Sequence, residues 1–95
     1  MNEKYIITIE AHCDAMGNSC NQIRRYAGID RASNYPYWNP SEHDAKIFSS
    51  IDNAKRWFNE NKRYLFGEYY KPFELDISAL AIQKIVYEKV ELLII

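Results

Sequence analysis

Residues 5–13 have the sequence Tyr-Ile-Ile-Thr-Ile-Glu-Ala-His-Cys, in which apolar side chains recur at every second position. This period is typical of a β-strand with one buried face, because successive side chains point to opposite sides of a sheet. The side chains predicted to share the buried face are Tyr5, Ile7, Ile9, Ala11 and Cys13. The opposite face would carry Ile6, Thr8, Glu10 and His12. The segment therefore predicts a half-exposed strand.

A second strand is predicted to follow the first as a hairpin. Residues 14–19 (Asp-Ala-Met-Gly-Asn-Ser) have the composition of a turn. The segment from about Cys20 to Ala27 would then return antiparallel and end at Gly28. Cys13 and Cys20 flank the turn and would face each other across the two strands. We expect both to be reduced thiols, because the chain begins without the apolar block of a secretory signal.

One amphipathic helix is predicted in the second half of the chain. Ser49 lies three residues before Asp52, the spacing of a capping box with Asp in place of Glu, and the helix would end by Gly67. Its apolar face would hold Ile51, Ala54, Phe58 and Leu65, with Trp57 and Tyr64 at the edge. One side of this helix is predicted to face a core and the other to face water.

Two further strands complete the predicted fold. Residues 45–48 would form a short third strand, and the Ile-, Val- and Leu-rich segment from Lys84 onward would form a terminal one. Residues 77–83 fit either a helix or a strand. The fold expected for residues 1–95 is a single α+β domain. It has an antiparallel sheet of three or four strands, an N-terminal hairpin, a late C-terminal strand and one helix packed on one face.

Composition narrows the range of functions. The chain has 95 residues, of which 47% are hydrophobic, as is usual for one globular domain. Its formal net charge is −1, from 12 basic and 13 acidic residues, so no overall field attracts nucleic acid or an acidic membrane. No apolar run approaches the ~18 residues of a membrane-spanning helix. We therefore expect a cytoplasmic protein without a membrane partner.

The residues best suited to metal or catalytic chemistry do not have the spacing that such chemistry needs. Cys13 and Cys20 are separated by six residues and the two histidines are isolated, whereas zinc sites favour Cys-x₂₋₄-Cys and His-x₃₋₅-His pairs. A catalytic Cys–His or Asp–His pair could be formed by Cys20 and His43-Asp44, but no nucleophile elbow or glycine-rich phosphate loop accompanies these residues. We expect no metal, no cofactor and no enzymatic activity.

An aromatic, proline-containing segment without periodicity extends from residue 28 to residue 43. Tyrosine, tryptophan and arginine are enriched at protein interfaces, and the two prolines restrict the backbone that carries them. The residues predicted to bind a protein partner are Tyr35, Tyr37, Trp38, Arg24, Arg25 and Arg31. Two interpretations remain open for the segment: an exposed binding surface, with Trp38 as its anchor, or a lid folded back over the sheet. The aliphatic chain end, residues 92–95, predicts a further contact, which is self-association through the C-terminal strand.

Nucleic acid is the alternative partner. Basic and aromatic residues alternate in two segments, and such faces bind single strands by stacking and charge. The residues predicted for this alternative are Arg24, Arg25, Arg56, Lys62 and Arg63. The thirteen acidic side chains weaken the argument, because nucleic-acid-binding domains are usually markedly basic.

The entry to the helix carries a pattern found elsewhere. Residues 45–58 (Ala-Lys-Ile-Phe-Ser-Ser-Ile-Asp-Asn-Ala-Lys-Arg-Trp-Phe) contain the motif A-x-x-F-x-S-x-x-x-A. Together with an N-terminal hairpin, a loop containing Trp38 and a late strand around Lys84-Ile85-Val86, the motif resembles small α+β proteins of phages and other mobile elements. The resemblance covers about half the chain and carries over no functional residues. It implies a context: such proteins often bind and block a host protein, as anti-CRISPR proteins do. The implied partner is a host protein or complex, such as a defence nuclease.

Overall fold

The computed structural model describes residues 3–13 and 18–85 of the chain. Its strands are β1 (Lys4–Cys13), β2 (Ser19–Ile29), β3 (Pro36–Asn39) and β4 (Leu75–Ile85). They form one antiparallel sheet in the order β3-β2-β1-β4, and the helix α1 (Ile51–Leu65) packs on one face of it. A first 3₁₀ helix (Glu42–Asp44) precedes α1 and a second 3₁₀ helix (Glu68–Phe73) follows it. The predicted α+β fold is confirmed.

β1 lies inside the sheet and is buried on both faces over much of its length. It pairs with β2, which confirms the N-terminal hairpin, and with β4 on its other side. Ile9, on the face predicted to be buried, has no exposed surface. Ile6 and Thr8 are each only 2% exposed, so the prediction of a half-exposed strand is wrong at these positions. Thr8 lies between Tyr26 of β2 and Ala81 of β4, and directly opposite residues of paired strands have their side chains on the same face.

β3 lies within the segment that was predicted to be a loop. Its residues pair antiparallel with the end of β2, with Trp38 opposite Ala27, and β2 accordingly continues to Ile29. A strand of four residues is too short to show a period of two. Proline also favours extended backbone, which an edge strand and a loop share.

The predicted third strand at residues 45–48 is a single bridge and not a strand. Phe48 and Tyr5 exchange backbone hydrogen bonds of 2.8 and 2.9 Å, and the Lys46 N–H donates to the Ala27 carbonyl at 2.9 Å. This segment therefore joins the start of β1 to the end of β2. It also places the Phe48 ring, 5% exposed, in the core.

The cap of α1 lies one residue later than predicted. Ser50 is the N-cap, and its hydroxyl accepts a hydrogen bond from the Asn53 backbone N–H at 3.1 Å. The Ser49 hydroxyl instead accepts from the Asn53 side-chain amide at 2.8 Å. The helix ends at Leu65, before Gly67, as predicted.

The predicted apolar face of α1 is confirmed in its centre and at its end. Ala54 and Leu65 are completely buried, and Phe58 packs against the core. Ile51 was predicted for the same face but is 45% exposed. It lies at the start of the helix and lines an open cleft between α1 and β4, so the sheet does not cover it.

The ambiguous residues 77–83 belong to β4, which begins at Leu75 rather than at Lys84. Pairing with β1 decides this, because strand formation depends more on neighbours than on intrinsic preference. The register shifts so that residues 77–80 lie opposite Ile9 alone, and Ile77 at this bulge is 68% exposed. The predicted strand beyond residue 85, with the self-association assigned to it, lies outside the described residues, as do residues 14–17 of the turn predicted over residues 14–19. Within residues 3–13 and 18–85, no helix is both long enough and apolar enough to cross a membrane.

Candidate functional site

Trp38 is a core residue and not an exposed anchor. Its side chain is 1% exposed, and its indole N–H donates a 2.8 Å hydrogen bond to the carbonyl of Leu65, the last residue of α1. A helix end leaves its final carbonyls without intrahelical donors, so the indole satisfies one of them. The Trp38 ring also meets the Phe66 ring edge-on, at 6.0 Å between centroids. The prediction that Trp38 anchors a partner is therefore wrong, and the alternative, that the segment folds back onto the core, is correct for this residue.

The backbone of Trp38 is held from its outer side by two groups. Its N–H does not point to β2 but donates to the Tyr70 hydroxyl at 2.8 Å, and its carbonyl accepts a long hydrogen bond from the Arg25 guanidinium at 3.5 Å. Burial raises the pKa of the Tyr70 hydroxyl above its ordinary value. The hydrogen bond from the Trp38 N–H to the Tyr70 hydroxyl therefore joins the second 3₁₀ helix to the edge strand β3.

The turn between β2 and β3 places Tyr35 at the surface. The Asp30 carboxylate accepts hydrogen bonds from the Ala32 N–H at 3.2 Å and from the Ser33 hydroxyl at 3.0 Å. The Asp30 carbonyl accepts from Asn34 at 2.7 Å, and Asn34 has a φ of 60°, a left-handed conformation that asparagine tolerates. This network orders the turn and leaves Tyr35 58% exposed.

These elements surround one open groove of about 530 Å³, which we call the tyrosine groove. Three of its tyrosines come from three separate segments and remain exposed: Tyr35 by 58%, Tyr64 by 39% and Tyr69 by 68%. The residues that line it are Arg25, Asp30, Ser33, Tyr35, Pro36, Tyr37, Trp38, Pro40, Tyr64, Tyr69, Tyr70 and Phe73. The groove is therefore an aromatic surface with one cationic and one anionic side chain.

Ring-to-ring contacts fix the walls of the tyrosine groove. Tyr35 contacts Tyr64 across the boundary between the turn and α1, at 5.6 Å between centroids. Within the second 3₁₀ helix, Tyr69, Tyr70 and Phe73 contact one another at 5.0 to 5.7 Å. Tilted and edge-to-face pairs at these distances are the favoured arrangements of aromatic rings.

Arg25 is the cation of the tyrosine groove. It lies on the sheet face that carries Ile9, its cross-strand partner in β1, so it extends the core side of the sheet. Its guanidinium stands 4.8 Å from the centre of the Phe73 ring. Among the described residues Arg25 has no ion-pair partner, and its buried Nε has no hydrogen-bond partner. The guanidinium is thus held in place while one of its donors is unused.

Of the other residues predicted to bind a protein partner, Arg24 and Arg31 lie away from this groove and Tyr37 lines it. Arg24 follows the alternation of β2 to the opposite face of the sheet from Arg25, opposite Glu10. Arg31 is exposed in the turn and lines a separate polar groove with His43. Tyr37 is half-buried and lines both grooves.

The basic residues predicted for nucleic acid do not form one surface. Arg56, Lys62 and Arg63 are exposed on α1, which packs on the sheet face opposite to Arg24. Arg63 is engaged with the neighbouring Tyr64, whose ring lies 4.7 Å from its guanidinium and whose hydroxyl accepts a 2.7 Å hydrogen bond from it. Arg24 and Arg25, which were predicted together for this alternative, lie on opposite faces of the sheet.

Four aromatic residues of the groove were not predicted as site residues: Tyr64, Tyr69, Tyr70 and Phe73. Tyr64 was predicted for the edge of the helix face, and the other three follow Gly67, where the helix was predicted to end. Their segment, Glu-Tyr-Tyr-Lys-Pro-Phe, combines aromatics and a proline as residues 35–40 do. This shared composition was the available signal.

The residues considered for metal binding are dispersed. In the described part of the chain no three His, Cys, Asp or Glu side chains are close enough to hold an ion. Cys13 is buried, and its Cα partner in β2 is Ser19 rather than the predicted Cys20. His12 is exposed, with its Nε2 3.7 Å from an Asp76 carboxylate oxygen.

Comparison with known proteins finds no matching family model, no similar curated protein and no similar solved structure.

Proposed function

We propose that this protein is a non-enzymatic binding module that holds a segment of a protein partner in the tyrosine groove. The observation that carries the proposal is the convergence of Tyr35, Tyr64 and Tyr69 around one groove while each remains at least 39% exposed. Contiguous exposed aromatic surface is costly in water and commonly marks an interaction site. Tyrosine supplies large contact area with few rotatable bonds, so little conformational entropy is lost on binding.

The rigid support beneath the groove favours the same function. The floor contains Trp38 and Tyr70, both buried and joined by the hydrogen bond between the Trp38 N–H and the Tyr70 hydroxyl. A surface that is ordered before binding pays less of the entropic cost of association.

The class of partner follows from the resemblance to mobile-element proteins. On that basis we propose a host protein in the bacterial cytoplasm, such as a component of a defence complex. The proposal does not use the basic residues of α1, and it predicts weak dependence of binding on salt. Binding through phosphate contacts would instead weaken steeply as salt increases.

The test is capture from bacterial lysate, with and without nuclease treatment, using paired variants. Tyr35→Ala combined with Tyr69→Ala removes two exposed rings of the groove, and Ile77→Ala is the control because Ile77 and Tyr69 are each 68% exposed. Loss of a specific captured protein with the double variant, and its retention with the control, are expected. Equal capture by both variants, or capture that disappears after nuclease treatment, would contradict the proposal.

A further inference from the structure

The outer edge of β3, which borders the tyrosine groove, cannot accept an added strand. Pro36 and Pro40 have no N–H, and the N–H of Trp38 between them is bonded to the Tyr70 hydroxyl. The outward carbonyl of Trp38 is approached by the Arg25 guanidinium at 3.5 Å. Strand addition depends on free backbone donors and acceptors along an edge. A peptide in this groove must therefore bind through side chains.

An extended segment that needs no backbone partner fits these conditions. Polyproline II segments have no internal backbone hydrogen bonds, stay solvated, and dock their proline rings on grooves lined by aromatic side chains. The groove offers the exposed rings of Tyr35, Tyr64 and Tyr69, set on supports that are ordered by hydrogen bonds and ring contacts. Its chemistry therefore suits proline better than a hydrogen-bonded strand.

The charges of the groove specify one further property of the ligand. The carboxylate oxygens of Asp30 are already engaged by Ala32 and Ser33 of its own turn. Arg25 lines the groove, is only partly buried and has no ion-pair partner among the described residues. A carboxylate satisfies a guanidinium through two parallel hydrogen bonds, which is a strong and directional contact.

We propose that the ligand of the tyrosine groove is a proline-rich extended segment that carries an Asp or Glu side chain, and that Arg25 binds its carboxylate. This inference rests on the proposed function. It adds the class of peptide and the residue that selects it.

The test is an NMR titration of the full chain with defined peptides. One probe is an oligoproline peptide with a single central glutamate, and matched probes replace that glutamate by glutamine or the prolines by alanines. We expect the acidic oligoproline to shift the signals of Tyr35, Tyr69 and the Trp38 indole, and to bind at least about tenfold more tightly than the glutamine peptide. The alanine peptide is expected to bind more weakly than the oligoproline.

The variants Arg25→Gln and Arg24→Gln locate the effect on the protein. They are neighbours of equal charge on opposite faces of β2. Arg25→Gln is expected to abolish the preference for glutamate, whereas Arg24→Gln is expected to keep it. The comparison of glutamate with glutamine peptides needs no protein variant, so it decides the issue even if Arg25→Gln fails to fold.

Three results of the peptide comparison would overturn the inference, as would the absence of any peptide binding. They are equal binding of the glutamate and glutamine peptides, equal binding of the proline and alanine peptides, and tighter binding of a short oligo-dT than of the acidic peptide. If no peptide binds but lysate capture still requires Tyr35 and Tyr69, the inference fails and the proposed function stands. If that capture is also independent of the two tyrosines, both fail.

Discussion

Replacing Trp38 by phenylalanine tests the central packing contact of the molecule. The substitution keeps an aromatic ring in a site that is 1% exposed but removes the N–H that donates to the Leu65 carbonyl at 2.8 Å. Leu65 is itself completely buried, so water cannot readily replace the lost donor. The carbonyl would remain unsatisfied at the end of α1.

The expected loss follows from two contributions. An unsatisfied buried hydrogen-bonding group costs about 1–3 kcal/mol. The smaller ring leaves unfilled space beside Phe66, which adds roughly 1 kcal/mol. The sum, about 2–4 kcal/mol, is a large part of the roughly 5–15 kcal/mol expected for a domain. Trp38→Ala would cost still more, about 3–5 kcal/mol, and risks unfolding the chain.

Urea denaturation followed by far-ultraviolet circular dichroism is the suitable assay, because tryptophan fluorescence changes with the substitution itself. With the m-value of a small protein the urea midpoint should fall by roughly 2 M. Trp57→Phe is the matched control: Trp57 is half-buried and packs against Phe48 at 5.5 Å between ring centroids. If Trp38→Phe costs no more than Trp57→Phe, the indole does not hold the end of the helix.

Three further predictions have definite expected outcomes. Ser50→Ala should lower the free energy of unfolding by about 1 kcal/mol and Ser49→Ala by clearly less, because only the Ser50 hydroxyl accepts from a helix backbone N–H. Equal losses in urea titrations would contradict the assignment of Ser50 as the N-cap. Gly28→Ala should cost about 1–3 kcal/mol by thermal denaturation, since the added Cβ would stand 2.7 Å from a backbone oxygen of the first 3₁₀ helix; an unchanged melting temperature would contradict this packing. Tyr5→Phe should raise the pKa of Glu3, which the hydrogen bond from the Tyr5 hydroxyl, and secondarily a lysine, holds below its ordinary value. A lowered carboxyl pKa contributes its full stabilisation only above the unfolded-state pKa, so the stability difference due to this bond should disappear as pH falls through the acidic range. Carbon-13 NMR titration of the Glu3 carboxyl measures the pKa shift. An unmoved pKa would contradict the hydrogen bond from the Tyr5 hydroxyl to Glu3.

Local pattern was sufficient for the elements whose structure depends on nearby residues. The period of two in residues 5–13 predicted β1, and helical spacing predicted α1 to end before Gly67. The same alternation in the predicted second strand already separates Arg24 from Arg25. Naming both among the residues of one binding surface therefore conflicted with the alternation of the predicted strand.

The tertiary structure decided what depends on residues distant in the chain. Trp38 lies between two prolines in a segment with no period, and its burial requires a carbonyl from Leu65 and a hydroxyl from Tyr70. Residues 77–83 became a strand because β1 offers an edge to pair with.

The tyrosine groove is likewise a product of topology. Tyr35, Tyr64 and Tyr69 belong to a turn, a helix and a 3₁₀ helix, and none of these segments predicts the other two. Sequence shows that the chain is rich in tyrosine, but not which rings become neighbours. Which tyrosine rings are buried and which converge depends on which surfaces pack together when the whole chain reduces its exposed apolar area. That packing depends on all tertiary contacts together and not on any one segment.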